Sequence, residues 1–418
     1  MNPMHLCFMP LFADLHIHSP YSRAVSKNMT LEVLAQKGRE KGLGIIGTGD
    51  FSHPLWFKEL KAKLAGSGDG MYDYNGMNFV LSNEISLIYT QDGKGRRIHH
   101  MLLAPDLDTV AQINELLASK GRLDYDGRPI FGFSSIELVE SLMPISKDIE
   151  IIPAHCWTPW FGVFGSMSGF DSLKACFQDK AKYIHAIETG LSSDPLMNWR
   201  CPFLDNVTLL SNSDSHSPQP YRLGREANAM ELKKTDYKHL LNAIRTREGL
   251  SYTIEVAPDY GKYHLDGHRD CDISMEPKET AKHKGMCPKC GKPLTIGVLN
   301  RVEQLASPDR PPGFVPRGAP GFKTLLPLTE VVGLSVGQAP LSKKVQTLYE
   351  LLISKFGNEM NILLNAPKEE LQKAANERLA NMILKNREGG IKVIPGYDGV
   401  YGKPVIEEEK NNGLKRYL

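Results

Sequence analysis

The sequence lacks any apolar run long enough to span a bilayer, which excludes a helical membrane protein. It also lacks a strong charge of either sign: 50 Lys and Arg against 48 Asp and Glu leave a formal net charge of +2. That balance still permits nucleic-acid binding, which depends on local clusters of Lys and Arg. The start, "MNPMHLCFMPLF", has no basic region, long apolar core or cleavage site, so a cytoplasmic, intracellular chain is expected. Cysteine is scarce and odd in number, seven in all. Three of them, Cys271, Cys287 and Cys290, share one short segment, which points to metal rather than disulfides and to a reducing compartment. No segment repeats at a fixed period.

What is present is ordinary globular material, 41% hydrophobic and 23% charged, in a chain of 418 residues that suggests two or three domains. The first part alternates strand and helix. "FADLHIH", "GIIGTGD", "NFVLSNEIS", "RIHHMLLA", "IEIIPAH", "AIETG" and "VTLLSNSDSH" read as strands. "TLEVLAQKGREKGL", with Thr30 as cap and Gly42 as stop, reads as helix, as do "SIELVESLMP" and "DYKHLLNAIRTREG". Such alternation predicts a mostly parallel α/β sheet or barrel. Near residue 256 the chain turns polar, and 307–321 is too rich in Pro and Gly for regular structure. From about Leu341 the pattern is helical again. The expected domains are 1–255, 256–305 and 306–418.

The strands share a habit of ending on His, Asp or Glu. His16 and His18 stand two apart on one face of the first strand, with Asp14 deeper on the same side. Asp50 ends the second, Glu84 lies in the third, His99 and His100 in the fourth, His155 ends another, and Asp214 and His216 close the last. One such His is ordinarily a satisfied core residue, but six strand ends behaving alike is a poor accident. The C-terminal strand ends of a parallel barrel converge on one rim. Imidazole with carboxylate suits Zn²⁺, Mn²⁺ or Fe²⁺, and so many ligands exceed the need of one ion. Two or three divalent ions acting on a phosphoester is the economical reading.

These residues resemble the polymerase and histidinol phosphatase (PHP) superfamily of metal-dependent phosphoesterases. The resemblance covers about residues 11–255 and implies a distorted (β/α)7 barrel, with His16, His18, Asp50, Glu84, His100, His155, Asp214 and His216 around Zn, Mn or Mg ions. His53 competes with Asp50, and His99 with His100; Asp50 and His100 are favoured. Asp14 is expected to orient an imidazole.

"YHLDGHRDC" and "MCPKCGKPLTIG" supply a second metal pattern. Cys287-x2-Cys290 followed by Gly291 reads as a zinc knuckle, and His268-x2-Cys271 has the same gap. A closed Cys3His site for one structural Zn²⁺ is expected, with His264 as the competing fourth ligand. Around it, Lys282, Lys284, Lys289, Lys292, Arg301, Arg310, Arg317 and Lys323 have few acids between them.

The order of barrel, "DGHRDC…CPKCGKPLTIGV", "PPGFVPRGAPGF" and a helical tail with "IPGYDGVYGK" resembles the endonuclease Q family across nearly the whole chain. The resemblance implies a small zinc-ribbon domain, a helical C-terminal domain, and nicking of DNA on the 5′ side of deaminated bases (hypoxanthine, uracil) and abasic sites. Double- or single-stranded DNA carrying such a base is then the expected partner. Trp157, Trp160 and Phe161, just after His155, could stack on an extruded base, and ordinary loop packing explains them equally well. Arg222 and Arg225 could hold a phosphate. In the tail "NNGLKRYL", Asn411, Leu414, Tyr417 and Leu418 approximate a sliding-clamp-binding pattern, although a charged frayed end is the plainer reading. Two other functions compete: a phosphatase of a small phosphorylated metabolite, and a non-catalytic DNA-binding scaffold.

Overall fold

Strand Leu11–Asp14 lies inside one curled sheet, parallel to Leu43–Gly47 on one side and antiparallel to Ala227–Met230 on the other. The computed structural model describes residues 10–66 and 68–406 of the chain. Beyond Leu43–Gly47 the sheet continues in parallel to Met77–Gln91, then antiparallel to Lys94–Ala104 and Glu150–Pro153. Beyond Ala227–Met230 it continues to Leu250–Glu255 and ends on Gly321–Thr324, so residues past 306 return to its edge. Ala186–Glu188 and Thr208–Leu210 form a separate parallel pair, tied in by side chains. Asn212 Oδ1 accepts from the Leu15 N–H and Asn228 Oδ1 from the Ser211 N–H. The architecture is mixed α/β, a curled half-barrel with a helical C-terminal region.

The expectation of a mostly parallel sheet is corrected by a tight hairpin. Asp92 (φ 54°) and Gly93 (φ 71°) make a two-residue turn between Gln91 and Lys94. Two positive φ values in succession match the strand twist and send the chain directly back on itself.

The helices follow their local chemistry. Leu31–Lys41 starts where the Thr30 hydroxyl accepts from the Val33 N–H and stops at Gly42, φ 95°. Ser135–Leu142 carries a full capping box, Ser134 with Glu137. Tyr237–Thr246 buries Leu240, Leu241 and Ile244 in a cluster with Leu15, Ile45 and Val80, closing one apolar layer of the sheet.

The C-terminal helices begin earlier than the pattern from Leu341 predicts, at Leu328–Val336, and continue through Lys343–Phe356, Glu359–Leu364, Lys368–Ala374 and Glu377–Arg387. The last two are separate because Asn376 caps the second by accepting from the Leu379 N–H. Two buried polar contacts tie this region in, one just past the last strand and one to the first helix. Asn386 exchanges hydrogen bonds with the Leu326 backbone. Lys41 Nζ donates to Glu359 Oε1 at 2.7 Å and to the Pro220 carbonyl at 2.8 Å, with both charged groups buried. The clamp-like Asn411, Leu414, Tyr417 and Leu418 lie outside the described residues. No helix among the described residues is long and apolar enough to cross a membrane.

Removing one partner of a buried ion pair strands the other charge, at a cost of about 3–5 kcal/mol. Lys41→Met should therefore lower the urea unfolding free energy by about that amount, and adding Glu359→Leu should recover most of it. Equal stability of the two variants would show that the pair does not fasten the C-terminal region.

A candidate metal centre at the strand ends

The first strand delivers His16 and His18 to a buried place where each imidazole is held from behind. His16 Nδ1 donates to both oxygens of Glu188, 3.0 Å each. His18 Nδ1 donates to Asp50 Oδ1 at 3.0 Å. With Nδ1 bonded to the carboxylate behind it, each ring turns its Nε2 toward the centre. His16 Nε2 is buried with no hydrogen-bond partner, 3.8 Å from Glu84 and 3.7 Å from Asp214. His18 Nε2 faces Asp214 at 3.1 Å and Glu84 at 3.3 Å. An orphaned buried nitrogen converging with carboxylates is a donor set that fits a divalent cation.

Three overlapping groups have ligand atoms within 4.8 Å of one another: His16, His18 and Glu84; His18, Asp214 and His216; Glu84, His99 and His155. Glu84 Oε1 lies 2.7 Å from His99 Nδ1 and 3.1 Å from His155 Nε2. His99 therefore stands where His100 was expected. The hairpin register pairs Glu84 with Met101 and Ser86 with His99, which puts Glu84 and His99 on one face. His100 opposes Ile85 on the other face, where its Nε2 meets Ser135 Oγ at 2.8 Å beside Phe177.

Two further expectations change. Asp50 touches His18, Ser19 and Ser22 rather than facing the open centre, so it orients an imidazole. Asp14 orients none: its carboxylate accepts from the Ser213 N–H and hydroxyl and from the Gly224 N–H, clamping the loop that carries Asp214. His53 lies outside the cluster, its ring stacked 4.5 Å from Tyr21.

The backbone is strained where the ligands sit. Asp50 (φ 48°), His155 (φ 30°) and Asp214 (φ 47°) all occupy the left-handed region. His155 is held there because Glu188 Oε2 accepts its N–H at 2.9 Å, and because Gly190 leaves room: a Cβ there would meet His155 Cβ at 2.9 Å.

Charge state follows from these contacts. Burial alone would lower both strand imidazoles, but the carboxylates of Glu188 and Glu84 hold His16, and those of Asp50 and Asp214 hold His18, well above the usual range. Burial would raise Glu84 and Asp214, yet His99 and Arg128 push Glu84, and His216 and His18 push Asp214, well below it. Burial pushes His99 down to about 4.

His99, His155, Asp214 and His216 of the cluster line a cavity of about 720 Å³. Trp160, Phe161, Arg222 and Arg225 line it. Trp157 does not: it is buried, its indole N–H donating to Asn198 Oδ1. Phe161 packs its ring 4.3 Å from His99, and Arg225 donates to the Ser213 carbonyl. The far wall is basic and aromatic, with Tyr221, Lys262, Tyr263 and Tyr401. Sequence reasoning missed these four along with Glu188 and Arg128. Only Glu188 had a signal, since it ends the strand "AIETG".

The cysteine segment forms its own cluster, with His268, Cys271, Cys287 and Cys290 ligand atoms within 4.8 Å of one another. Backbone N–H groups of Cys290 and Lys289 outweigh desolvation and bring the Cys287 thiol down to about 7. His264 sits apart, its Nδ1 3.5 Å from the Ser192 carbonyl.

Partners that orient a ligating imidazole typically change metal affinity about 10–100-fold when lost. Glu188→Gln should weaken Mn²⁺ binding by roughly that factor in calorimetry. His99→Ala should do the same, whereas His100→Ala should cost stability and leave Mn²⁺ affinity within about twofold of the parent. The reverse ranking of the two histidines would overturn this assignment.

Residues 327–390 match the family described as the MJ0043 C-terminal domain. The chain is 35% identical over 298 residues to the protein MJ0043 of Methanocaldococcus jannaschii, a stretch covering 69% of this chain and 35% of that one. It thus spans about a third of that relative's length. The crystal structure of the lesion-specific endonuclease PfuEndoQ from Pyrococcus furiosus superposes with a TM-score of 0.85 at 33% identity, covering 97% of this chain and 98% of that one. Endonuclease Q bound to a 27-mer duplex with an abasic lesion at the active site gives 0.86 at 33% identity, covering 96% and 98%. With a third of its residues identical over nearly the full length of both structures, the chain belongs to the endonuclease Q family.

Proposed function

We propose that this chain is a metal-dependent DNA repair endonuclease that cuts the phosphodiester bond 5′ of deaminated bases (hypoxanthine, uracil) and abasic sites, leaving a 3′-hydroxyl and a 5′-phosphate. The observation that carries the reading is the pair of Nε2 atoms on His16 and His18 converging with Glu84 and Asp214, beside a cavity with a basic, aromatic wall. The PHP-type (β/α)7 barrel is assigned to 1–255, a zinc ribbon to 256–305 and the helical domain to 306–418, with strand Gly321–Thr324 reaching back. An intracellular location follows from a DNA substrate.

His16, His18, Glu84, His99, His155, Asp214 and His216 would hold two or three divalent ions, of Zn, Mn or Mg. Such ions supply Lewis-acid stabilisation of a phosphate and a hydroxide nucleophile near neutral pH. The chain's own part is positional. Glu188 and Asp50 keep the imidazoles in the ligating tautomer, and Asp14 holds the Asp214 loop in place. Unpairing is least costly at a damaged or mispaired nucleotide, which would leave the stack for the cavity. There Trp160, with Tyr263 at 6.1 Å, would offer an aromatic face, and Arg222 a cation for the flanking backbone. His268, Cys271, Cys287 and Cys290 would close around one structural Zn²⁺ and fold a segment that packs little else.

With Mn²⁺ or Mg²⁺, end-labelled duplexes carrying uracil, hypoxanthine or an abasic site should be nicked 5′ of the lesion, and undamaged duplex left intact. Hydrolysis of small phosphomonoesters alone would favour the phosphatase, and inactivity on both the scaffold. His16→Ala should reduce nicking by about a thousandfold or more while leaving the Cys3His zinc in place. Cys290→Ser should release one equivalent of zinc, read by metal analysis, and lower the stability of residues 256–305 to proteolysis.

A further inference from the structure

Arg128 stands among groups that would hold metal ions, where a fixed cation has least reason to be. Its Nη1 donates to Glu84 Oε2 at 2.9 Å, the carboxylate that also faces His16, His18, His99 and His155. The placement is built rather than incidental. The preceding Gly127 packs so tightly that a Cβ there would meet Asp50 Oδ2 and Ser22 Oγ, both at 2.4 Å. The Gly127 N–H donates to the Tyr21 carbonyl, and Asp126 Oδ1 accepts from the N–H groups of Arg128 and Arg23. From the other side, Ile130–Phe131 pairs in parallel with Ser86 and Leu87, two residues past Glu84. The side chain is 27% exposed and lines the cavity.

The charges decide what it is for. Glu84 and Asp214 face the His16 and His18 Nε2 atoms, so a divalent ion held there would stand beside Arg128 as a second cation. That like-charge contact is unfavourable unless an anion enters with the ion. A phosphodiester carries one negative charge and two free oxygens, which the planar guanidinium fork fits.

Resting on the proposed phosphodiesterase reading, we propose that Arg128 is a displaceable cation. It holds Glu84 Oε2 while no divalent ion is present, yields that oxygen when an ion binds, and directs its charge to the scissile phosphate. Arg128 therefore competes with the metal in the free protein and assists catalysis in the complex.

These two roles have opposite signs, and a merely structural arginine would not show both. Arg128→Met should tighten Mn²⁺ binding by several-fold in calorimetry without DNA, since the competitor is gone. The same variant should lose about a hundredfold or more in the single-turnover rate on lesion duplex and on bis(p-nitrophenyl) phosphate, with half-saturating substrate changed much less. Arg128→Lys, which keeps the charge without the fork, should recover part of the rate and guards against misfolding. Unchanged or weaker Mn²⁺ binding by Arg128→Met, or an unchanged rate, overturns the proposal. If the parent protein fails on lesion DNA yet cleaves the small diester, the lesion reading fails while the Arg128 proposal is still decided by the Mn²⁺ and diester measurements.

Discussion

The carboxylate behind each strand imidazole is the contact on which the site depends. A neutral imidazole has one N–H and one lone pair, and which nitrogen carries which is set by the bond the other makes. Glu188 behind His16 and Asp50 behind His18 settle both tautomers the same way. They bond Nδ1 alone, so the buried Nε2 of His16 has no hydrogen-bond partner and is aimed at the centre, where a bound cation would relieve the cost. Glu188 also accepts from the His155 N–H and from Asn212 Nδ2, so one carboxylate sets a tautomer, a backbone angle and the seat of a neighbouring loop.

That arrangement needs strained backbone, and the fold supplies restraints where the strain lies. Left-handed φ at Asp214 is enforced by the Asp14 clamp on Ser213 and Gly224 and by Arg225 on the Ser213 carbonyl. Left-handed φ at Asp50 is enforced by three donors, from Ser19 and Ser22, onto one carboxylate oxygen. Such angles persist only where surrounding contacts over-determine them. The Lys41 contact to the Pro220 carbonyl carries the same logic outward, since Lys41 is also paired with Glu359 of the C-terminal helices. The helical region is thereby joined to the loop just beyond His216.

Much of the site was legible because strand ends and two-residue spacing are local signals. His16, His18, Glu84, His155, Asp214 and His216 follow from those signals and lie together in space. So do His268, Cys271, Cys287 and Cys290, from the paired two-residue gaps. What escaped is long-range: Lys262, Tyr263 and Tyr401 reach the cavity from segments with no periodic pattern, and Arg128 sits in a loop whose position depends on how closely Gly127 approaches Asp50. The role of Asp14 was misjudged for the same reason, since its partners Ser213 and Gly224 are about two hundred residues away in sequence.

The exchange of His99 for His100 is a different case, because the information was present. Asp92-Gly93 between two apolar strands is a strong hairpin signal, and a two-residue turn fixes the register. With Gln91 opposite Lys94, every opposed pair has numbers summing to 185, so Glu84 faces position 101 and its face-mates across the ladder are odd-numbered. His99 is odd and His100 even. One turn thus decides which imidazole joins the carboxylate and which is buried against Ser135 and Phe177. A single-residue slip would exchange them and carry every apolar side chain of Lys94–Ala104 to the wrong face, so the hydrophobic layers of the sheet hold the site in register.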